Sequence, residues 1–523
     1  MTTLVPRPAY SPAELEKLYP SSLELQQVQI LLRHGERTPV GTRFQNAGLA
    51  PHWPYCTAAR QLKDVVLSSD GTWDYLSWRR RLERLGPNDA PIASAGSRGE
   101  IDGVCEPGEL TDLGRQTTLA LGERIRNLYV NQLSFLPTTA TLDTDNNVSL
   151  RATPIQRALE SVQQAYTGLY PPTHRATALP PKTIVRRPIQ DETLFPNESA
   201  CPRFRELAKA FAVRTAKVWN DGPEIRYLNS KLGKWMPEAT PKVAVDGHPR
   251  LSGLMDTINA TRAHGSATKL PKEFYEEKVI GYVDRICTEE WFVGYQESNE
   301  YRTLGIGGLI GDLTQRMVEK VRANDVPTPA VGAIVAGEGD FKLSMSGCHD
   351  TTIASALAAL GGFDVSRDHW PNFTSNIAFE LFRRKDAPVV PDTAAAPPKQ
   401  TQRPSWWSTL FSSATATASS TTTSPRTPLT DLPPTERQKL GDYYVRLRYN
   451  DQPITLLFCA AQEDRHLEGD KSFCTLTAFK QAADSFTPKD WKGQCRMNLG
   501  APAMGTNISK PPGWVDEEVK VVV

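Results

Sequence analysis

Three times along this chain an apolar run breaks off at a knot of polar residues and gives way to helical periodicity. The first run, "VQILL" (28–32), is apolar but for Gln29, the pattern of a strand buried on both faces at the centre of a parallel sheet. The second, "VSL" (148–150), precedes "RATPIQRALESVQQAYTGLYP". There Thr153 suits an N-cap, Pro154 suits the first helical position, and Ile155, Leu159, Val162, Tyr166 and Leu169 fall on one helical face. The third, "FKLSMSG" (341–347), alternates like a strand and leads into "HDTTIASALAALGG", where Ile353, Ala356, Leu357 and Leu360 form a stripe ending at Gly361. A further helix is expected from Thr111 to about Tyr129, with Leu121, Ile125 and Leu128 on one side. Strand–helix alternation predicts a parallel sheet covered by helices, and ligands bind such sheets beyond the carboxyl ends of the strands, where helix N-termini also point.

The knots carry the chemistry. The first holds Arg33, His34, Gly35, Arg37 and Pro39, the second Arg151, the third His349 and Asp350. If the three strands are neighbours, these groups meet in one crevice. A buried cluster of positive charge is costly unless an anion pairs with it, and planar guanidinium forks match a tetrahedral oxyanion, with phosphate the obvious candidate. On this reading Arg33 and Arg37 reach the anion from a loop leaving the strand and His34 between them aims at phosphorus. Gly35 lets the backbone turn closely, and Pro39 stiffens the exit.

The pattern R33-H-G-E-R-T-P39 with H349-D350 resembles the histidine acid phosphatase branch (branch 2) of the histidine phosphatase superfamily. "GELTDLGRQTTLALGERIRNLY" (108–129) looks like that family's G-x-L-T helix, and "LRATPIQRALESVQQAYTGLYP" like its R-S-T-x-x-x-R segment, with Ala152 where serine is usual. "YYVRLRYNDQPITLLFC" resembles the strand pair near the family's C-terminus, and "LRATPIQRALES" is most similar to the lysophosphatidic acid phosphatases. The likeness is patchy over 40–105 and 175–330 and absent from a Pro/Ser/Thr-rich stretch at 386–436.

The resemblance implies a phosphoglycerate-mutase-like three-layer α/β/α sandwich with a mostly helical cap. Residues 23–170 and 331–500 would form the core, 171–330 the cap, 1–22 an N-terminal extension and 501–523 a tail. It implies phosphomonoester hydrolysis in which His34 is the nucleophile and Asp350 the general acid. Arg33, Arg37, Arg151 and His349 would hold the phosphate, and Gly35, Pro39 and Arg157 would support the site. No metal or other cofactor is needed, because the arginines supply the positive field. His-Asp also occurs in phytases, so inositol or sugar phosphates remain alternatives to an amphiphilic monoester. Aromatics at Trp53, Tyr55, Trp73, Tyr75 and Trp78 and in "EEWFVGYQ" (289–296) suggest either an apolar-walled mouth or simply cap core.

Composition narrows the remaining classes. A formal net charge of +1 offers no global pull toward nucleic acid or anionic membrane. No stretch approaches the ~20 apolar residues of a spanning helix, and the first twenty residues lack the apolar core of a signal peptide, so the expectation is a cytoplasmic chain acting on a small molecule, its oligomeric state left open. Eight scattered cysteines, none in a C-x-x-C pair, read as free, partly buried thiols, with pairing among the last three as the alternative. Five N-x-S/T sequons, at Asn147, Asn197, Asn259, Asn372 and Asn507, carry little weight without a secretion signal. The 386–436 stretch cannot bury enough surface to order itself and reads as an insertion at the tip of a sheet, between "NIAFELF" (376–382) and "DYYVRLRYN" (442–450). Its "SWWSTLF" (405–411) suggests a docking or membrane-touching motif, or a sticky patch on its own domain. A non-catalytic protein recruiting partners through this insertion is the reading from another class.

Overall fold

The computed structural model describes residues 3–324, 341–386, 426–504 and 508–514. Its centre is a nine-stranded sheet formed by β1 (Leu23–Arg33), β2 (Val148–Ala152), β3 (Ile184–Val185), β4 (Leu343–Cys348), β5 (Asn376–Arg384), β6 (Tyr443–Tyr449), β7 (Gln452–Ile454), β8 (His466–Leu467) and β9 (Asp470–Thr475). The order is β8-β9-β6-β5-β1-β4-β2-β3, with β7 paired to β6. The parallel sheet expected from sequence holds for one half only: β1, β4, β2 and β3 run parallel, whereas β5, β6, β9 and β8 pair antiparallel. Antiparallel neighbours need no crossover helix. Accordingly β5 and β6 lie side by side, Tyr443 opposite Arg383, and the insertion leaves and re-enters at one end of that pair.

Helices α1 (Asp112–Arg126) and α2 (Gln156–Leu169) cover one face, packing on Val28, Ile30, Leu32, Leu150 and Met345. The chain continues through α3 (Pro202–Trp219), α4 (Pro223–Leu232), α5 (Leu251–His264), α6 (Glu277–Glu297), α7 (Gly308–Ala323), α8 (Asp350–Ala359) and α9 (Leu476–Asp484). Helices α7, α8 and α9 cover the other face against Leu31, Ile377, Phe379, Leu381 and Val445. The result is the three-layer α/β/α sandwich. A separate apolar cluster joins α4, α5 and the first half of α6 to Phe44, Leu49 and Trp53. Helix α7, within the segment expected to be cap, instead lies on the sheet.

Local expectations hold unevenly. Thr111, where a helix was expected to begin, caps α1 through its side chain. Thr153 does not cap α2, which starts two residues later with Ile155 at the N-cap. "PITLLFC" is not one strand: pairing ends at Ile454 and Leu457–Ala460 is helical. Most of the 386–436 insertion, including "SWWSTLF", lies outside the described residues. Its last part, 426–436, packs onto the core through Leu432.

Six of the eight cysteines are paired, as Cys56–Cys105, Cys201–Cys495 and Cys459–Cys474, which corrects the reading of free thiols, while Cys459–Cys474 is the pairing among the last three that stood as its alternative. The partners are brought together by tertiary contacts at separations of 49, 294 and 15 residues, so no spacing rule could reveal them. Cys287 and Cys348 stay free and buried. Maleimide labelling of the denatured, unreduced protein is therefore expected to add two labels per chain, and eight after reduction; eight before reduction would contradict the pairing.

Candidate active site

The three knots meet at the carboxyl edge of the parallel strands. His34 donates its backbone N–H to the Cys348 carbonyl (3.0 Å) and accepts from Thr374 (3.2 Å), so the loop leaving β1 is pinned between β4 and the approach to β5. Gly35 donates to Ser161 Oγ on α2 (3.1 Å) and lies against Gly114 of α1. A Cβ at Gly35 would stand 2.3 Å from the Gly114 carbonyl oxygen, and one at Gly114 would stand 2.1 Å from that of Glu36. Only a glycine pair permits this approach. Beyond the turn, the Pro39 carbonyl accepts from Gly108 (2.9 Å).

The imidazole of His34 is buried, with Nδ1 2.9 Å from the Gly35 carbonyl oxygen. A carbonyl only accepts, so Nδ1 carries the proton and Nε2 keeps its lone pair. Burial first, then the positive charges of Arg157, Arg33 and Arg37, hold the His34 pKa well below the usual histidine range. The His349 ring lies 5.5 Å from that of His34, and its Nε2 is 3.1 Å from Thr153 Oγ1. Burial and Arg157 push its pKa down to about 3. Asp350 opens α8 and binds Arg33 Nη2 through Oδ2 at 2.7 Å. The same oxygen accepts from Trp370 Nε1 (3.1 Å), and Oδ1 from the Thr351 N–H (2.8 Å). Burial alone would raise the Asp350 pKa, but Arg33 and Arg37 outweigh it and hold the carboxyl at about 2.

The arginines are positioned by neighbours that the motif does not reveal. The Arg33 guanidinium lies over the Phe373 ring at 4.2 Å and donates to the Pro371 carbonyl. Arg37 pairs with Asp256 Oδ1 of α5 at 2.6 Å, and Asp256 Oδ2 accepts from Val40 (2.9 Å). The two remaining arginines exchange places relative to the sequence expectation. Arg151 points to the α7 face, where Nη2 donates to Glu192 Oε1 (2.5 Å) and Nη1 stands 3.9 Å from Asp312 Oδ2. Arg157, expected as a support, donates from Nη1 to the Gly108 carbonyl (3.4 Å), and its positive charge helps to lower the pKa of His34 and His349. Burial, followed by repulsion from Arg37, pushes its pKa down to about 10. Val148, Leu150 and Ala152 of β2 face α1 and α2, so Arg151 faces the opposite layer, as Arg33 does, but it stands level with Leu31, two residues back from Arg33 along the sheet. Arg157 sits in the first turn of α2, at the strand edge.

A cavity of about 600 Å³ adjoins Arg33, walled by Met255, Ile258, Ile280, Phe363 and Trp370 and rimmed by Arg262. Of the two readings of the sequence aromatics, a cavity mouth or core, core holds for those that are buried. Trp53 is core, Tyr55 stacks on His264 at 5.5 Å, and Phe292 and Tyr295 are buried in the sheet-side cluster. Trp73 and Tyr75 stand out on a surface hairpin, 69% and 70% exposed. Trp370, Phe373 and Asp256 had no sequence signal, because none sits in a motif or beside one. Among the described residues no group of three or more His, Cys, Asp or Glu side chains is placed to hold a metal ion, and no helix is long and apolar enough to cross a membrane.

Residues 24–398 match the model of the histidine phosphatase superfamily (branch 2). A probable acid phosphatase of Schizosaccharomyces pombe is 35% identical over 481 residues, covering 91% of this chain and 95% of that protein. Lysophosphatidic acid phosphatase type 6 of Homo sapiens is 23% identical over 370 residues, 70% of this chain and 76% of its own. The solved multiple inositol polyphosphate phosphatase of Bifidobacterium longum, in complex with inositol hexasulfate, superposes with a TM-score of 0.51 at 12% identity, covering 92% of this chain and 96% of that one; at that identity the likeness concerns the fold alone. With the motif, the layered fold and the family match in agreement, the chain belongs to branch 2 of the histidine phosphatase superfamily and is a phosphatase.

Proposed function

We propose that the chain is an acid phosphatase that hydrolyses phosphomonoesters through a phosphohistidine on His34. The observation that carries this reading is the His34 ring: Nδ1 is held by the Gly35 carbonyl, which leaves Nε2 unprotonated among guanidinium groups. In the first step the Nε2 lone pair attacks phosphorus, the P–O ester bond breaks, and Asp350 gives its proton to the departing alkoxide. In the second, water attacks the phosphohistidine, Asp350 takes the water's proton, and the P–N bond breaks to release phosphate. Arg33, Arg37 and Arg157 stabilise the charge on the transferring group, and His349 donates to one of its oxygens. The depressed His34 pKa keeps the nucleophile neutral in mild acid.

Arg157 takes the role that the sequence reading gave to Arg151. Arg157→Ala is expected to lower kcat/KM by about 10²- to 10³-fold, the cost of losing one preorganised donor to transition-state charge. Arg151→Ala is expected to leave the kcat of the folded enzyme within a few-fold while lowering its melting temperature, since Glu192 would be left buried and unpaired. Steady-state kinetics on both variants check the assignment; the opposite ranking would return Arg151 to the site.

Asp350 must be protonated to act as an acid, yet Arg33 and Arg37 keep it ionised in the free enzyme. A bound phosphate dianion offsets those two charges and raises the carboxyl pKa, so proton uptake accompanies substrate binding. Turnover is therefore expected to fall as pH rises through the elevated pKa of the complex. In the free enzyme the Asp350 carboxyl is held at about 2 and the His34 imidazole well below the usual histidine range. Asp350→Asn is expected to cost at least about 10²-fold in kcat on an alkyl phosphate and much less on an aryl phosphate, whose leaving group needs no proton. Equal losses on both substrates would remove the acid role.

For substrate, the apolar wall beside Arg33 and the likeness to lysophosphatidic acid phosphatase type 6 support an amphiphilic monoester. The Arg262 and Arg367 guanidiniums lining the same cavity favour, as a second reading, a multiply phosphorylated inositol or sugar. A panel of lysophosphatidate, phytate, sugar phosphates and phosphotyrosine ranks the two by kcat/KM. Three disulfides support an oxidising compartment over the cytoplasmic expectation.

A further inference from the structure

A second gathering of guanidinium groups lies on the α7 side of β2, built around the arginine that the motif reading placed at the catalytic phosphate. Asp312 of α7 is its hub: Oδ1 accepts from Arg426 Nη2 (2.5 Å), and Oδ2 lies 3.0 Å from Arg187 Nη2 and 3.9 Å from Arg151 Nη1. Arg316, one turn further along α7, adds its positive field to both Asp312 and Arg151. Glu192 is the other carboxylate, and its Oε1 is already taken by Arg151 Nη2 (2.5 Å) and the Leu194 N–H (2.7 Å). Four guanidinium groups thus face two carboxylates, leaving two positive charges over. Arg151 is 5% exposed, and its Nε and Nη1 make no hydrogen bond. Among the described residues Arg316 has no carboxylate within 4 Å. Arg187 and Arg426 are 29% and 31% exposed, so the cluster opens to solvent past them.

Burying surplus charge of one sign is unfavourable unless a counter-ion compensates it. The planar donors of Arg187, Arg316 and Arg426 around a buried, under-used Arg151 match the oxygens of a tetrahedral dianion, whose charge equals the surplus. We propose that this cluster is a second, non-catalytic site for a phosphate-type oxyanion, on the α7 side of β2. Inorganic phosphate, the product of the proposed reaction, is the natural probe. The site itself does not depend on the chemistry assigned to His34.

Calorimetric titration of the full chain with inorganic phosphate is expected to find two binding events in the unaltered protein. The double variant R187A/R426A should retain one, with turnover and competitive inhibition by phosphate changed less than about twofold. The double variant R33A/R37A should retain the other while losing catalytic-site binding. A single equivalent in the unaltered protein overturns the proposal, as do two equivalents persisting in R187A/R426A. Should R187A/R426A fail to fold, R33A/R37A decides: one remaining equivalent supports the second site, and none overturns it. Failure of the catalytic reading would appear separately, as phosphate inhibition insensitive to R33A/R37A.

Discussion

His34→Ala is expected to reduce kcat on an aryl phosphate by about 10⁴-fold or more, the scale seen when a nucleophile is removed from a site whose parts act as a unit. Nε2 of His34 holds the lone pair, and no other imidazole is poised in the same way: His349 is 5.5 Å away ring to ring, with its Nε2 engaged by Thr153 Oγ1. Arg33, Arg37 and Arg157 would remain, so the variant should still bind phosphate, and KM should change far less than kcat. The measurement is paired: turnover between pH 4 and 7, and trapping of an acid-labile, phosphate-labelled enzyme after rapid quench. The unaltered protein should label and His34→Ala should not. Turnover or labelling that survives in His34→Ala would end the phosphohistidine mechanism.

Glu380→Ala is expected to carry the largest stability cost. Glu380 sits on β5 opposite Val28 of β1 and is fully buried. Its Oε1 accepts from Tyr19 (2.6 Å) and Tyr129 (2.8 Å), and its Oε2 from Arg446 Nη2 (2.7 Å), with Arg448 Nε at 3.2 Å. Arg446 and Arg448 are themselves almost fully buried. Removing the carboxylate would strand two guanidinium groups in the core, at a cost on the order of 3–5 kcal/mol. Urea unfolding should show the midpoint falling accordingly, with the slope unchanged. The pH dependence has a definite sign. Burial opposes ionisation, but Arg446 and Arg448 outweigh it and hold Glu380 at about 2, below its unfolded value. Its contribution is therefore fully present above about pH 4.5 and is lost as pH falls toward 2. In Glu380→Ala that acid-dependent loss should be smaller; a midpoint within about 0.5 kcal/mol of the unaltered protein would show the network to be energetically idle.

The fold class and the first half of the site were legible in the chain because they depend on local rules. A short, nearly unbroken apolar run fits a strand buried on both faces, and β1 is one. A glycine between two arginines marks a turn too tight for a side chain, and Gly35 meets Gly114 there. His349 and Asp350 open a helix directly off a strand, so they had to lie at the same edge as Arg33.

What the chain alone did not determine are the matters settled by packing between distant segments. Arg151 and Arg157 are six residues apart in one motif, and only packing sets the first, level with Leu31 in the sheet register, against Glu192 and the second in the first turn of α2. Asp256, Trp370 and Phe373 orient Arg37, Asp350 and Arg33 from segments with no phosphate-binding motif. The antiparallel half of the sheet and the three disulfides likewise depend on which segments meet in space. Local sequence dictates strands, turns and helix starts through backbone sterics and burial, whereas the direction in which a charged side chain points, and what it pairs with, is decided by the layer laid over it.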